Sequence, residues 1–288
     1  NCHPYDSGLI ISNENGAVEQ WLSKEDDRPK YYRNRVNAGL HIISPKLLEN
    51  KIDTPKIDLD RQLLKPLAGT GKMFVYDSPE YVKDMGTPDR YETVCRDFKN
   101  GIVQAKNLKQ KQKAVFLDRD GTINKYVGLL RNIDDLELIN DVPEAIKAIN
   151  NSGYLAIVIT NQPVIARGEV SFSELNEIHN KMETLLGFYG AYLDGIYFCP
   201  HHPHKGYDGE VKELKIECKC RKPKPGMLLQ AAKDFNIDLS QSWMIGDSEN
   251  DIIAGISAGC RTGLLGTEQY GQNVTESSML ALLEAVIK

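Results

Sequence analysis

The stretch Ala114-Val115-Phe116-Leu117-Asp118-Arg119-Asp120-Gly121-Thr122 joins an apolar run to a pair of carboxylates. The apolar run has the length of a buried β-strand, and Asp118 and Asp120 follow its carboxyl end. Their i, i+2 spacing points both side chains to the same side of the chain. Because ligands bind at this end of the strands in open α/β sheets, the stretch predicts an acidic site at a sheet edge. A solvated turn is the alternative for Asp-Arg-Asp-Gly taken alone.

Further apolar segments of strand length follow at 155–160, 195–198, 242–245 and 262–265, and amphipathic helical patterns separate them. This alternation predicts an α/β fold with a Rossmann-like, doubly wound parallel sheet over residues 114–288. Residues 99–113 are polar and basic and are interpreted as a linker. Residues 1–98 mix short strand and helix patterns, including a strand predicted over 36–44. They are expected to form a smaller N-terminal α+β segment.

Composition excludes several classes of protein. The chain has 288 residues and a formal charge of -5, so it lacks the basic surface of a nucleic-acid binder. With 41% hydrophobic residues and no apolar run of about 20, neither disorder nor a membrane span is expected. The chain shows no signal-like start, and its six cysteines are few for its length, so a cytoplasmic location is predicted. The composition leaves the oligomeric state open.

Three other motifs place polar groups where phosphate could bind. Thr160, Asn161 and Gln162 end the second strand of the predicted sheet and can donate hydrogen bonds. Arg221 and Lys222 precede a helix and supply positive charge, although a solvated basic loop would look the same. Asp247 ends the fourth strand and is a candidate metal ligand. Asp251 is interpreted as a helix-start residue or an outer partner of the metal site. Carboxylate oxygens favour Mg²⁺.

Cysteine and histidine residues cluster after the third strand. Cys199 and His201 form a Cys-x-His pair, and Cys218 and Cys220 form a Cys-x-Cys pair on the same long loop. Four soft ligands of this kind are typical of a closed, tetrahedral Zn²⁺ site that orders a loop with little core of its own. A disulfide or free thiols are the alternatives, and His202 or His204 could replace His201.

From about residue 113 to its end, the chain resembles the haloacid dehalogenase superfamily. The resemblance implies that Asp118 is the nucleophile that forms an aspartyl-phosphate and that Asp120 is the general acid and base. It implies that Thr160 and Lys222 bind the transferring phosphoryl group. It also implies that Mg²⁺ is held by Asp118, by the carbonyl of Asp120 and by Asp247.

The zinc loop and the Asp-Arg-Asp-Gly-Thr motif are similar to those of the D-glycero-D-manno-heptose 1,7-bisphosphate 7-phosphatases and of the histidinol-phosphate phosphatases. Cys-Pro-His-His-Pro, Arg-Lys-Pro-Lys-Pro-Gly-Met and a minimal cap favour the heptose branch. The resemblance implies a small phosphorylated sugar as substrate, with release of its 7-phosphate in nucleotide-activated heptose biosynthesis. It implies four substrate contacts: Arg119, Asn161, Gln162 and Arg221. Residues 125–130 depart from the family pattern, which leaves the sugar anomer open.

The N-terminal segment resembles the second half of sugar-1-phosphate nucleotidyltransferases in two motifs, Val36-Asn37-Ala38-Gly39 and Asp84-Met85-Gly86-Thr87-Pro88. The resemblance implies that the Asn37 motif lies against a sugar and that Asp84 is a metal ligand. The glycine-rich nucleotide-binding start of those enzymes is absent from this chain. The alternatives are therefore an ordinary strand-to-helix turn or a fusion whose catalytic half is missing here.

Overall fold

Eight β-strands form two separate sheets in the computed structural model, which describes residue 2, residues 4–49 and residues 56–287. The strands are β1 (Leu9–Ser12), β2 (Val18–Leu22), β3 (Lys113–Leu117), β4 (Tyr154–Asn161), β5 (Gly195–Cys199), β6 (Trp243–Gly246), β7 (Arg261–Leu265) and β8 (Val274–Glu276). The larger sheet has the order β5-β4-β3-β6-β7-β8, and all its strands are parallel. This arrangement confirms the predicted Rossmann-like fold.

Helices connect the parallel strands. The α-helices are α1 (Pro88–Lys99), α2 (Ile102–Ala105), α3 (Val142–Asn151), α4 (Pro163–Ala166), α5 (Phe172–Phe188), α6 (Gly226–Asp234), α7 (Glu249–Ala258) and α8 (Met279–Val286). Short 3-10 helices cover Pro4–Asp6, Pro45–Leu47, Lys65–Leu67, Ile133–Asp135, Lys212–Leu214 and Leu239–Gln241, and a π-helix covers Leu59–Leu64. Among the described residues, every helix is too short or too polar to cross a bilayer.

Both faces of the large sheet are covered because alternate residues of each strand point to opposite sides. Val115 of β3 packs in a core with residues of α3, α5 and α8, whereas Phe116 packs in a second core with residues of α6 and α7. The register pairs Leu117 of β3 with Val158 of β4 and with Ile245 of β6. The carboxyl ends of these three strands therefore meet at one edge, and the candidate site residues follow them.

The sequence missed two short elements of this domain, β8 and α4. Both have fewer than five residues, which is too short for a hydrophobic period to be recognised. The segment interpreted as a linker is packed rather than extended. It contains α2, and the ammonium of its Lys106 donates to the hydroxyl of Tyr192 at 2.7 Å.

The N-terminal segment contains the antiparallel hairpin β1–β2 and a small core of its own around Trp21. The strand predicted over 36–44 is wrong. Within the described residues only Val36 of this stretch pairs with another strand, through a single bridge to Leu9. Leu40 and Ile42 are 74% and 107% exposed, so their apolar character does not reflect burial on a sheet. A strand forms only where a partner backbone is available, which local sequence does not reveal.

The N-terminal segment packs on α5 through hydrogen bonds between the backbone of Tyr32 and the side chain of Thr184. The Tyr32 amide donates to Oγ1 of Thr184 at 2.8 Å, and the same hydroxyl donates to the Tyr32 carbonyl at 3.0 Å. Thr184 and its neighbour Glu183 are both buried. Burial raises the pKa of Glu183 to about 7, and the opposite charges of Arg33 and Arg35 moderate the shift. A carboxyl group is thus held in the interface where its charged form is disfavoured.

We expect Glu183→Gln to stabilise the protein at alkaline pH. The folded-state pKa of about 7 exceeds the ordinary value of 4.5, so the folded chain binds the extra proton between these values. The stability of the native protein should therefore decrease as pH rises through this window. The variant should gain about 2–3 kcal/mol in free energy of unfolding at pH 8 and much less at pH 5. Urea unfolding at both pH values measures the gain. Glu177→Gln, an exposed change on α5, is the control, and equal effects of Glu183→Gln at both pH values would contradict the prediction.

Candidate active site and metal centres

A buried lysine joins two carboxylates at the edge of the large sheet. Nζ of Lys222 lies 2.8 Å from Oδ1 of Asp118, which follows β3, and 2.5 Å from Oδ1 of Asp251, which lies in the first turn of α7. Nζ also donates to the carbonyl of Ile159 at 2.8 Å. Burial disfavours the ammonium, but the charges of Asp118 and Asp251 raise the pKa of Lys222 above its ordinary value. Lys222 is therefore a fixed cation beside the carboxylate of Asp118.

Three carboxylates converge beside this lysine and fit a divalent cation. Ligand oxygens of Asp118, Asp247 and Asp251 all lie within 4.8 Å of one another. Burial and the charge of Asp251 raise the pKa of Asp118 to about 7 and that of Asp247 to about 6. A single ammonium thus does not balance the three charges, and a hard cation with oxygen ligands would. A Cβ on Gly121 would lie 2.0 Å from Oδ2 of Asp247, so glycine keeps this space open.

The carboxylate of Asp120 accepts hydrogen bonds from a set of side chains that does not include Lys222. Nε and Nη2 of Arg119 donate to its oxygens at 2.8–3.1 Å, and Nε2 of Gln162 donates to Oδ2 at 2.9 Å. Nδ2 of Asn124 donates to Oδ1 at 3.1 Å. These donors hold the carboxylate in one orientation, and 19% of the Asp120 side chain remains exposed. Asp120 can therefore meet a ligand in a defined geometry.

The predicted substrate contacts occupy two kinds of position. Arg119 and Gln162 are buried, and each bonds to Asp120, so they act on the site through that carboxylate. Asn161 pairs with the backbone of Lys222: its Nδ2 donates to the Lys222 carbonyl and its Oδ1 accepts from the Lys222 amide, both at 3.0 Å. The direct substrate contacts that the family resemblance implies for these residues stay a prediction. Arg221 is partly exposed, and its Nη1 donates to the His201 carbonyl at 3.3 Å.

Thr160 stands at the end of β4 and is buried. Its hydroxyl oxygen accepts a hydrogen bond from Nε2 of Gln162 at 2.9 Å. The same amide nitrogen bonds to Asp120, so Gln162 ties the end of β4 to the loop after β3. Asn124, which donates a further hydrogen bond to Asp120, was not identified from the sequence. Its only signal was its place directly after Gly-Thr-Ile.

The four predicted zinc ligands come together. The three sulfur atoms of Cys199, Cys218 and Cys220 lie 3.1–3.5 Å apart, and Nδ1 of His201 lies 3.3 Å from the sulfur of Cys220. A tetrahedron with Zn–S bonds of about 2.3 Å has edges only slightly longer than these distances. All six cysteines are free, so no disulfide joins the cluster. Burial raises the pKa of the Cys199 thiol, which Zn²⁺ binding would reverse by stabilising the thiolate.

The alternative histidines lie outside this cluster. Nδ1 of His202 contacts the carbonyl of His204 at 3.3 Å, and their rings pack against each other. Asp84, the metal ligand predicted in the N-terminal segment, also lies outside this cluster. Asp84 pairs with Arg90 and accepts from the Gly86 amide, and it belongs to neither group of metal-ligating side chains in the described part of the chain.

The chain is similar to several known proteins. A family model described as HAD-hydrolase-like matches residues 219–281. The D-glycero-beta-D-manno-heptose-1,7-bisphosphate 7-phosphatase of Haemophilus ducreyi is 46% identical over 155 residues, which are 54% of this chain and 82% of that protein. The enzyme of the same name from Yersinia pestis is 42% identical over 158 residues, 55% of this chain and 82% of that protein.

One solved structure of a related protein is also similar to this chain. The D,D-heptose 1,7-bisphosphate phosphatase from B. bronchiseptica, complexed with magnesium and phosphate, is 30% identical. It superimposes with a TM-score of 0.53 and covers 61% of this chain and 98% of that one. This structure thus covers 61% of the chain, and the two relatives cover 54% and 55% of it.

We expect Cys220→Ser to release the structural metal. The change removes one of four ligands, and Val211 and Ile216 of the loop between Cys199 and Cys220 are exposed rather than packed in a core. Bound zinc should fall from about one ion per chain to near zero, and the free energy of unfolding should fall by more than about 3 kcal/mol. Elemental analysis and thermal unfolding measure both effects. Cys260→Ser, a buried cysteine outside the cluster, should keep its zinc; full zinc content in Cys220→Ser would contradict the assignment.

Proposed function

Because this chain belongs to the heptose-1,7-bisphosphate 7-phosphatase family of the haloacid dehalogenase superfamily, we propose that it removes the 7-phosphate of D-glycero-D-manno-heptose 1,7-bisphosphate. The observation that carries the proposal is the contact between Asp118 and the buried ammonium of Lys222 beside two further carboxylates. An Mg²⁺-dependent phosphoryl transfer needs a nucleophile, charge neutralisation and a proton donor, and we assign these roles to Asp118, to Lys222 with the metal, and to Asp120.

The first step makes an aspartyl-phosphate. Lys222 and the Arg119 amide both donate to Oδ1 of Asp118, so the attack on phosphorus is assigned to Oδ2. The bond from phosphorus to the C7 oxygen breaks as the new bond from Asp118 to phosphorus forms. Asp120 gives its proton to the departing sugar oxygen and becomes a carboxylate, which Arg119 stabilises. Lys222 and the hydroxyl of Thr160 hold the oxygens of the phosphoryl group.

The second step regenerates the enzyme. A water molecule gives a proton to the Asp120 carboxylate and attacks the phosphorus atom. The bond between phosphorus and Asp118 breaks, so inorganic phosphate leaves and both aspartates return to their starting states. Asp118, the Asp120 carbonyl and Asp247 would hold Mg²⁺, which would supply neutralisation of the phosphate charge. Zn²⁺ in the Cys/His cluster would have a structural role, because all four ligand positions are filled by protein.

Specificity for the sugar is assigned to the loops around the site. Tyr126 and Val127 are exposed in the loop that departs from the family pattern, and Arg221 stands next to Lys222 with its side chain partly exposed. Arg221 is the proposed partner of the phosphate that remains on the product. The names of the relatives favour the beta anomer. We propose a cytoplasmic setting, because the free thiols of the zinc cluster require a reducing compartment.

We expect the enzyme to prefer the beta anomer of the heptose bisphosphate. Phosphate release is measured with Mg²⁺ from both heptose anomers and from histidinol phosphate at equal concentrations. Because relatives with over 40% identity carry the beta name, kcat/KM should be at least about tenfold higher for the beta anomer than for the other two substrates. Preference for histidinol phosphate would move the substrate assignment to the alternative branch.

Asp118→Asn is the control for this assay. An amide cannot act as the nucleophile, so turnover should fall by about four orders of magnitude or more. The circular dichroism spectrum should stay unchanged, because Asn has nearly the same volume as Asp. Residual phosphate release at a tenth of the normal rate would contradict the aspartyl-phosphate mechanism.

A second candidate function concerns residues 1–98, which we propose form an appended unit that binds a phosphorylated sugar. A cavity of about 230 Å³ lies in this unit. Its lining includes Trp21, Lys24, Asn37, Asp60, Arg61 and Lys65. The cations suit a phosphate, and Asn37 belongs to the motif that resembles the sugar-contacting segment of nucleotidyltransferases. Asp84 does not line this cavity, so the observation supports sugar-phosphate binding rather than nucleotide transfer.

We expect heptose 1-phosphate to bind at two sites per chain, one in the phosphatase domain and one in this cavity. Asn37→Ala should remove the second site, because it deletes the amide that bonds Oδ2 of Asp60 and lines the cavity. Isothermal titration measures the stoichiometry, and phosphate release from the bisphosphate should stay unchanged. A single site in both proteins would exclude binding in the N-terminal unit.

A further inference from the structure

The guanidinium of Arg119 is fully buried and every nitrogen of it faces an acceptor. Nε and Nη2 bond to Asp120, and Nη2 also donates to Oε1 of Gln162 at 3.1 Å. Nη1 points away from Asp120 and lies 3.2 Å from Nε2 of His179. Nη1 of the guanidinium is therefore held by a histidine of α5. This helix contributes no other residue to the site described above.

The contact defines the state of the imidazole. Arginine is always protonated and can only donate, so Nε2 of His179 must accept with its lone pair and the ring must be neutral. Burial and the neighbouring positive charge lower the pKa of His179 to about 3, in agreement with this arrangement. The hydrogen bond consequently persists over the whole pH range in which the enzyme would work.

His179 is itself held rigidly. The helix α5 begins with a capping box between Ser171 and Glu174, and its residues Ile178 and Met182 pack in the core of the sheet. The His179 ring lies 5.8 Å from the ring of Phe198 in β5. Because the imidazole cannot move with Arg119, it restricts rotation of the guanidinium.

We propose that His179 is a positioning residue that sets the orientation of Asp120 through Arg119. By accepting the Nη1 hydrogen, it fixes the plane of the guanidinium, and the other two nitrogens then aim the Asp120 carboxyl group at the leaving oxygen. Without this acceptor a buried donor would be unpaired, and Arg119 would rotate to satisfy it. The inference rests on the proposed role of Asp120 as general acid.

Two variants and two substrates test the positioning role of His179. His179→Leu removes the acceptor, whereas His179→Gln places an amide oxygen near the position of Nε2. The substrates are the heptose 1,7-bisphosphate, whose leaving alkoxide needs a proton, and p-nitrophenyl phosphate, whose leaving phenolate does not. The rate of the first turnover is measured by rapid quench, because it reports aspartyl-phosphate formation alone. Ile178→Val, a change at a buried neighbour that leaves the Arg119 contact intact, is the matched control.

We expect His179→Leu to slow the first turnover of the bisphosphate by about 30-fold with little change in KM, and that of p-nitrophenyl phosphate by less than about threefold. His179→Gln should recover most of the lost rate, and Ile178→Val should affect both substrates equally. Equal losses on both substrates in His179→Leu, or no recovery in His179→Gln, would overturn the inference. If the unaltered enzyme fails to hydrolyse the bisphosphate, the proposed function fails instead, and the same variants are compared on histidinol phosphate, whose leaving alkoxide also needs a proton.

Discussion

The buried ammonium of Lys222 is the constraint on which the site depends. It lies between Asp118 and Asp251, and removing its charge would leave two buried carboxylates without a countercharge. Hydrogen bonds from the end of β4 hold Lys222 in this position. Asn161 bonds both the amide and the carbonyl of Lys222, and Ile159 accepts from its side chain, so the end of β4 is fastened to the loop that carries the lysine.

The Cys/His cluster and the candidate phosphate-binding lysine lie on the same loop. Cys220 precedes Lys222 by two residues, so ordering the cluster also orders the backbone that presents the lysine. Gly226 at the start of α6 packs directly on this loop, where a Cβ would lie 2.2 Å from the carbonyl of Lys219. A metal outside the reaction centre can thus replace the apolar core that a long loop lacks. The precision of the charged groups depends on that support.

The helix α5 contacts both the N-terminal segment and the candidate site. Its Thr184 bonds the backbone of Tyr32 in the N-terminal segment, and five residues earlier its His179 bonds Arg119 at the site. Four polar side chains of this helix are buried: His179, Lys181, Glu183 and Thr184. His179 bonds Arg119 and Thr184 bonds the N-terminal segment, whereas Lys181 donates to backbone carbonyls of the loop before α3. The N-terminal segment therefore packs on an element that also borders the reaction centre, even though the two have separate cores.

Local spacing was enough to predict the parallel sheet, the carboxylates after β3 and β6, and the zinc ligands, because each depends on residues close together in the chain. The partners of those residues depended on tertiary structure. That Asn161 holds Lys222, that Arg119 and Gln162 hold Asp120, and that Asp251 faces Asp118 follow from the register of three strands and the start of a helix. The strand predicted over 36–44 was wrong for the same reason. Side-chain type and periodicity are local properties, whereas hydrogen-bond partners and charge balance are set by segments far apart in sequence.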